Sequence, residues 1–410
     1  MMRNRALLTL WGGEFSARIG ESMFQIALLW YLLEVTGSSV ATGVVSMISY
    51  LPAILVGLWS GVIVDRRPYR QVLLQANAAR LLLVLALPLL FAWRGLPVWG
   101  VAGLAFLISS AAAFFGPARD ALIPRLAARG ELLAANSLVQ SAWQFSLLIG
   151  PFLAAAALPF MPTIDLFFLV AGAFALSLGV LLGLPRTPAA GAHAQAGPDV
   201  TRVVAAPEFG GAFWADFSEG LGYLWRERRV FWIWVVTVAN NFFLMGPVIV
   251  GMPFYVKTHL GGDGSDFAIV EGTYAGGMIV STWLIARFGA RWNPTRMLCW
   301  GLIYDGLTYV PLLWVSTVPG TVAVILVHSL GIPTITISRL TALHRLVEGR
   351  MQGRVFAYFH LAVMGMTALS IGTVGIVLAW LPVNHLFWII GLAAAGCGVF
   401  GLLHPTLRRA

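Results

Sequence analysis

Gly61-Val62-Ile63-Val64-Asp65-Arg66-Arg67-Pro68-Tyr69-Arg70 closes one long apolar run and opens the next through a short basic gap. The same construction recurs along the chain. Basic clusters stand in every second gap: Arg66, Arg67 and Arg70; Arg125 and Arg129; Arg226, Arg228 and Arg229; Arg287, Arg291 and Arg296; Arg345, Arg350 and Arg354. The alternate gaps hold only Arg94 and the single lysine, Lys257. Short cytoplasmic loops of membrane proteins retain Lys and Arg. The alternation therefore predicts a polytopic membrane protein with both termini, marked by Arg3 and Arg5 and by Arg408 and Arg409, on the cytoplasmic side.

Composition excludes the soluble classes. Of 410 residues, 59% are hydrophobic and 10% charged, too little polar surface to cover a water-soluble domain. The net charge of +9 suggests nucleic acid only if the arginines form a patch. Dispersed over short loops they instead report topology and anionic headgroups, so no nucleic-acid partner is expected. Cys299 and Cys397 both fall inside apolar runs and read as small core residues, with no metal site. The basic N-terminus followed by an apolar run resembles a signal peptide. Glu14, Arg18 and Glu21 interrupt that run and no small-residue cleavage site follows, which predicts a retained first helix.

A span needs about 20 apolar residues. That length predicts helices near 7–34, 40–63, 72–93, 97–117, 134–158 and 164–184, then near 230–256, 268–288, 297–316, 319–339, 355–379 and 383–403. The expected organisation is a six-helix bundle over 1–184, a cytoplasmic linker over 185–229 and a second six-helix bundle over 230–410. The linker begins Ala/Gly/Pro-rich, Pro185 to Pro207, and cannot fold by itself. It ends amphipathic, with Phe209, Phe213, Phe217, Leu221 and Leu224 at helical spacing, which predicts a helix lying on the inner membrane face. The halves echo each other. Asp65 to Arg70 corresponds to Arg291 to Arg296, and Pro117 to Arg125 corresponds to Ser338 to Arg345. Parallel six-helix repeats define one large transporter architecture, with the substrate near the midplane.

The Gly61 to Arg70 stretch resembles the loop signature of the major facilitator superfamily, Gly-x-x-x-Asp-Arg-x-Gly-Arg-Arg. Ile26 to Ser38, Phe115-Gly116-Pro117-Ala118 running to Pro124, Ala135-Asn136 and Gly353-Arg354-Val355-Phe356 are similar to the branch that holds macrolide exporters and siderophore-secretion permeases. The resemblance implies an all-α fold of 12 transmembrane helices in two pseudo-symmetric bundles. It also implies that Gly61, Asp65, Arg66 and Arg70 latch the cytoplasmic ends of the halves in the outward-open state; a solvated loop charge is the plainer reading of Asp65. Pro68 and Tyr69 depart from the signature, and proline cannot supply a left-handed turn.

Charges inside spans point to work, because each costs roughly 2.5–3.5 kcal/mol at the helix centre on insertion scales. Glu14, Arg18 and Glu21, spaced i, i+4, i+7, share a helix face. Glu14 with Arg18 reads as a structural or gating pair or as a substrate contact. Glu21, deeper and without a basic residue one turn on, is the expected proton-coupling or cation-recognising acid. Asp305 reads as the only acid well inside the second half's runs, with a structural role beside Tyr304 or Tyr309 favoured. The resemblance makes span seven a cleft-lining helix and so Asn240 and Asn241 cavity candidates. Gln140 and Gln144 are ligand-binding or helix-bonding amides. Arg80 snorkels or pairs with an acid. His328 and His360 read as core histidines with no metal spacing between them.

Ser137, Ser146, Gly150, Pro151, Ala154 and Ala155 follow the spacing of the antiporter motif Gly-x8-Gly-x3-Gly-Pro-x2-Gly-Gly, with Ser or Ala at four Gly positions. The motif implies export; close helix packing is the plainer reading. The family's mid-membrane arginine of span four has no counterpart within 97–117. No Gly-x4-Gly-Lys-Ser/Thr loop is present, so ATP is not the expected fuel. The sequence thus predicts a secondary transporter, not an enzyme. It would export small hydrophobic or amphipathic molecules by proton-coupled alternating access, using the proton gradient and no cofactor. A monomer in a bacterial inner membrane is expected, since arginine far exceeds lysine and loops are short. Natural products, siderophores or lysophospholipids are the alternative cargo, and a non-transporting sensor the alternative class.

Overall fold

The computed structural model describes residues 4–95, 97–127, 132–185, 211–288 and 292–408. Most of the expected linker, 186–210, lies outside the described residues. The chain is helical throughout the described segments, and its contacts divide it into two units: Met1–Tyr31 with Ile48–Gly210, and Leu32–Met47 with Gly211–Ala410.

The first unit holds α1 (Arg5–Thr36) as far as Tyr31 and the rest of α2 (Ser39–Leu55) from Ile48. It continues with α3 (Gly57–Asp65), α4 (Tyr69–Arg94), α5 (Val98–Leu126), α6 (Leu132–Ala157) and α7 (Leu166–Leu182). The second unit takes the end of α1 and the start of α2, then α8 (Gly211–Arg226), α9 (Arg228–Gly246) and α10 (Met252–Phe254). It is completed by α11 (Gly264–Phe288), α12 (Pro294–Leu307), α13 (Val318–Ser329), α14 (Ile332–Leu346), α15 (Gly349–Val377), α16 (Val383–Leu403) and α17 (Pro405–Arg408). Among the described residues, nine segments are long and apolar enough to cross a bilayer.

Each expected span finds a helix, but proline and glycine break several of them. The second span is two pieces, α2 and α3, parted at Val56 after Pro52, whose ring removes one backbone bond. The seventh continues from α9 through π-helical turns, Pro247–Gly251 and Tyr255–His259, on either side of α10. α12 stops at Leu307 and resumes as a 3-10 turn, Val310–Leu313. The tenth span breaks between α13 and α14 at Gly331. The fourth is longer than expected: α5 runs on to Leu126 through Pro117.

Lipid is as apolar as leucine, so helices associate here through close packing and interhelical hydrogen bonds. Both are present in each unit. In the first, Asn77 Nδ2 donates to Ser177 Oγ at 2.6 Å, which donates to the Gly13 carbonyl at 2.6 Å, tying α4, α7 and α1. In the second, Asn241 Nδ2 donates to Val363 O at 2.9 Å and Thr367 Oγ1 at 2.8 Å, tying α9 to α15. The closest helix crossing is α12 on α16. A Cβ at Gly306 would stand 2.2 Å from the Gly391 carbonyl, and one at Gly391 would stand 2.5 Å from the Gly306 carbonyl.

α8 docks on α9 and α15 rather than only covering the membrane face. Leu224 is buried with Val230, Ile233 and Phe359, while Leu221 is exposed. Glu219 pairs with Arg354 at 2.5 Å. Phe209 and the side chains of Phe213 and Phe217 lie outside the described residues.

Replacing Gly306 with valine is expected to cost about 1–3 kcal/mol, the usual penalty of overpacking. A lowered thermal unfolding midpoint of the detergent-purified protein, absent for Gly276→Ala in open space, measures it.

Candidate functional site

The charged face of α1 meets two other helices. Arg18 forks: its Nε lies 2.8 Å from Glu14 Oε1 and its Nη1 2.9 Å from Glu21 Oε2. Arg80 of α4 reaches Glu21 Oε2 at 3.4 Å, and Arg119 of α5 reaches Glu14 Oε1 at 2.5 Å. Arg80 is fixed in turn by Asn77 Oδ1 at 3.2 Å and by the Phe174 ring, 4.8 Å from its guanidinium carbon. Arg119 also holds the exposed Asp120 at 2.8 Å. Three guanidiniums thus face two interior carboxylates, and Asp120 takes up the remaining charge.

This corrects two expectations. Glu21 has basic partners, because Arg18 reaches forward as well as back and α4 delivers Arg80. Span four does carry a basic residue into the fold, because α5 continues past Pro117 and brings Arg119 to Glu14. The two acids differ in access. The Glu14 side chain is fully buried, whereas that of Glu21 is 34% exposed. Glu21 is therefore the more accessible end of the lattice.

The second unit holds a different cluster. Asp305 Oδ1 lies 3.4 Å from His328 Nε2, both buried. His328 Nδ1 lies 2.9 Å from Thr308 Oγ1. Tyr309 packs over the imidazole at 4.1 Å between centroids, and its hydroxyl is 3.0 Å from that of Tyr274. Asn240 of α9 offers its amide to Asp305. Glu271, one turn before Tyr274 on α11, is half-buried and without a hydrogen-bond or ion-pair partner among the described residues. The sequence reading missed this acid and named Asp305 alone; its spacing of three from Tyr274 was the available signal. Tyr304, expected beside Asp305, instead donates to Val327 O at 2.6 Å. His328 is not a lone histidine.

The other candidates separate. Asn241 spends its Nδ2 on two acceptors of α15, Val363 O and Thr367 Oγ1, and is half-buried. Gln140 is exposed, Gln144 is half-buried, and Arg66 is exposed beyond α3. The side chains of Gly61 and Asp65 lie outside the described residues. Arg70 Nη2 donates to the Leu182 carbonyl at 2.8 Å and so closes the C-terminal end of α7 within its own unit. Pro68 caps α4 at φ −59°, so no left-handed turn is needed there. Tyr69 is buried beneath Arg125, 4.7 Å from its ring. Ser146 is buried and donates to Trp143 O at 2.7 Å. A Cβ at Gly150, beside Pro151, would stand 2.6 Å from Ser22 Cβ, so the small-residue stripe seats α6 against α1. His360 is exposed. Separately, a groove of about 860 Å³ beside α12 and α14 is lined by Trp292, Arg296, Trp300, Tyr304 and Thr334.

Membrane-spanning helices with interior ion pairs define a polytopic helical membrane protein. Residues 10–362 match the Major Facilitator Superfamily, and the chain belongs to that family. It is a multi-pass membrane protein of that superfamily. It is similar to macrolide efflux protein A of Streptococcus pyogenes, 26% identical over 287 residues that cover 68% of this chain and 66% of that one. It is also similar to the multidrug efflux pump Tap of Mycolicibacterium fortuitum, 28% identical over 225 residues covering 53% and 52%. The chain thus aligns with just under two thirds of the first relative's length and about half of the second's. A POT family transporter in complex with a thioalcohol-conjugated peptide shares the fold, with a TM-score of 0.76, 14% identity and 98% and 96% coverage.

Glu14→Gln is expected to destabilise the protein by about 1–3 kcal/mol, because Arg18 and Arg119 lose the buried carboxylate they share but keep Glu21 and Asp120. Glu21→Gln is expected to cost at least as much, because the buried Arg80 then has no ion-pair partner among the described residues. Thermal unfolding of the two variants side by side gives the order.

Proposed function

We propose that this transporter exports hydrophobic or amphipathic small molecules by alternating access, driven by proton influx. The observation that carries the reading is the lattice of Glu14, Arg18, Glu21, Arg80 and Arg119. Five ionised groups inside an apolar bundle are costly to insert and are retained where they do work. Their arrangement gives a fixed inner pair at Glu14 and an exchangeable outer end at Glu21. A proton or cationic ligand at Glu21 releases Arg18 or Arg80, and a group that binds the two access states differently shifts their balance. The relatives named as macrolide and multidrug efflux proteins favour bulky apolar cargo and outward movement. The positive-inside pattern favours cytoplasmic termini in a bacterial inner membrane.

Proteoliposomes carrying an imposed pH gradient and loaded with ethidium or radiolabelled erythromycin test the reading. Wild type is expected to move at least one of the two against its gradient, and a protonophore to abolish the movement. Glu21→Gln is expected to bind cargo yet lose gradient-driven flux. Binding without flux under any gradient overturns the exporter reading, and exclusive movement of lysophospholipid overturns the cargo class.

A further inference from the structure

The exporter reading leaves the cluster around Asp305 without a task. Its hydrogen bonds count protons. Thr308, the residue that caps α12, has one hydroxyl proton and three acceptors in reach. Its Oγ1 lies 2.8 Å from the Tyr304 carbonyl, 3.0 Å from the Asp305 carbonyl and 2.9 Å from His328 Nδ1.

Two arrangements satisfy these contacts. In the first, the hydroxyl donates to a backbone carbonyl, so Nδ1–H of His328 must donate to Thr308 Oγ1. His328 Nε2 then faces Asp305 with one proton between them, as a carboxylic acid donating to nitrogen or an imidazolium donating to carboxylate. The pair is neutral. In the second, the hydroxyl turns to donate to Nδ1, and Nε2–H donates to the Asp305 carboxylate. The pair holds one proton fewer and carries a charge of minus one. The difference is a single proton passed to or from water; only N–H and O–H bonds change. The two side chains stand 3.4 Å apart, longer than a normal hydrogen bond, so sharing the proton requires them to draw closer.

We propose that Asp305 and His328, with the Thr308 hydroxyl as their switch, form a one-proton carrier site in the second unit, distinct from the α1 lattice.

The surroundings make the two states unequal. No cation among the described residues pairs with Asp305. α9 brings only the amide of Asn240, whose Oδ1 is buried without a donor. α11, beyond α13, brings Tyr274 and a second acid, Glu271, both of which act on Tyr309. On α14 the first cation, Arg339, follows by a turn the Ile335 that packs on Gly301, itself a turn before Asp305. α16 faces α12 with Gly391 and Ala395; its titratable side chains, His385 and Cys397, are hydrogen-bonded to Trp388 and Ala393. The cation of α17, Arg408, forms no ion pair with Asp305. A bare negative charge in such a place is expensive, so the proton leaves only when a rearrangement brings water or a cation to the pair. That coupling of release to conformation is what a proton-driven carrier requires; this role rests on the exporter reading, whereas the proton binding does not.

Protein purified into nanodiscs is carried through a pH titration and followed by infrared difference spectroscopy, with proton uptake read from a pH dye in weak buffer. Asp305→Asn is expected to remove one carboxylic-acid C=O band and one proton per molecule, while Glu21→Gln leaves that band in place. Thr308→Val is expected to move the midpoint of the step without removing it. His328→Gln serves if Asp305→Asn does not fold, and is expected to move or abolish the same band. In proteoliposomes Asp305→Asn is expected to lose gradient-driven ethidium or erythromycin flux to the level of protein-free vesicles and to retain counterflow. Retention of the band and the proton in Asp305→Asn overturns the site, and loss of both with undiminished gradient-driven flux overturns its role as carrier. If wild type shows the proton step yet moves neither probe, the exporter reading fails and the proton site stands.

Discussion

Hydrocarbon offers a polar group no partner, and this constraint orders the whole interior. Every charge carried into the bundles must be answered from within them. In the first unit the answer is a fork: one guanidinium, Arg18, spans the two acids that flank it on α1, and α4 and α5 each contribute one arginine. Helix contacts obey the same rule. Asn77, Ser177, Asn241 and Thr367 spend their polar atoms on neighbouring helices, where lipid gives no hydrophobic reward for association.

The two units meet this demand in opposite ways. The first neutralises carboxylates with arginine, a cation that stays charged in proteins. The second surrounds Asp305 with an imidazole, an amide and tyrosines, groups that share protons rather than fix charge. One lattice is suited to holding helices and recognising cationic groups, the other to gaining and losing a proton.

Much of this was legible in the chain. Apolar run lengths and the alternation of arginine located the helices, because the bilayer imposes both a length and a sidedness. Glu14, Arg18 and Glu21 stood out for the same reason. The partners did not. Nothing in the residues near 80 or 119 says that those helices lie against α1, and the expected end of the fourth span at 117 placed Arg119 outside it. The expected span ended at Pro117, yet helices in lipid run through proline because neighbours and local adjustments satisfy the freed carbonyl. The Asp305 cluster was half visible: His328 and Asp305 were both noticed, but only the fold joins residues from α9, α11, α12 and α13. Asn240 and Asn241 were named together, yet the first offers its amide to Asp305 and the second donates to α15, since adjacent residues on one helix point in different directions.

The fork on α1 has a consequence for how the chain is made. α1 precedes α4 and α5 in the chain, and its charged face carries Glu14 and Glu21 with Arg18 between them. Arg119, the second partner of Glu14, is 105 residues away in the chain and is synthesised long afterwards. Until α4 and α5 have entered the membrane, the opening helix bears an uncompensated negative charge. Its final seating must therefore wait for them, so that a segment translated before its partners settles only after they arrive.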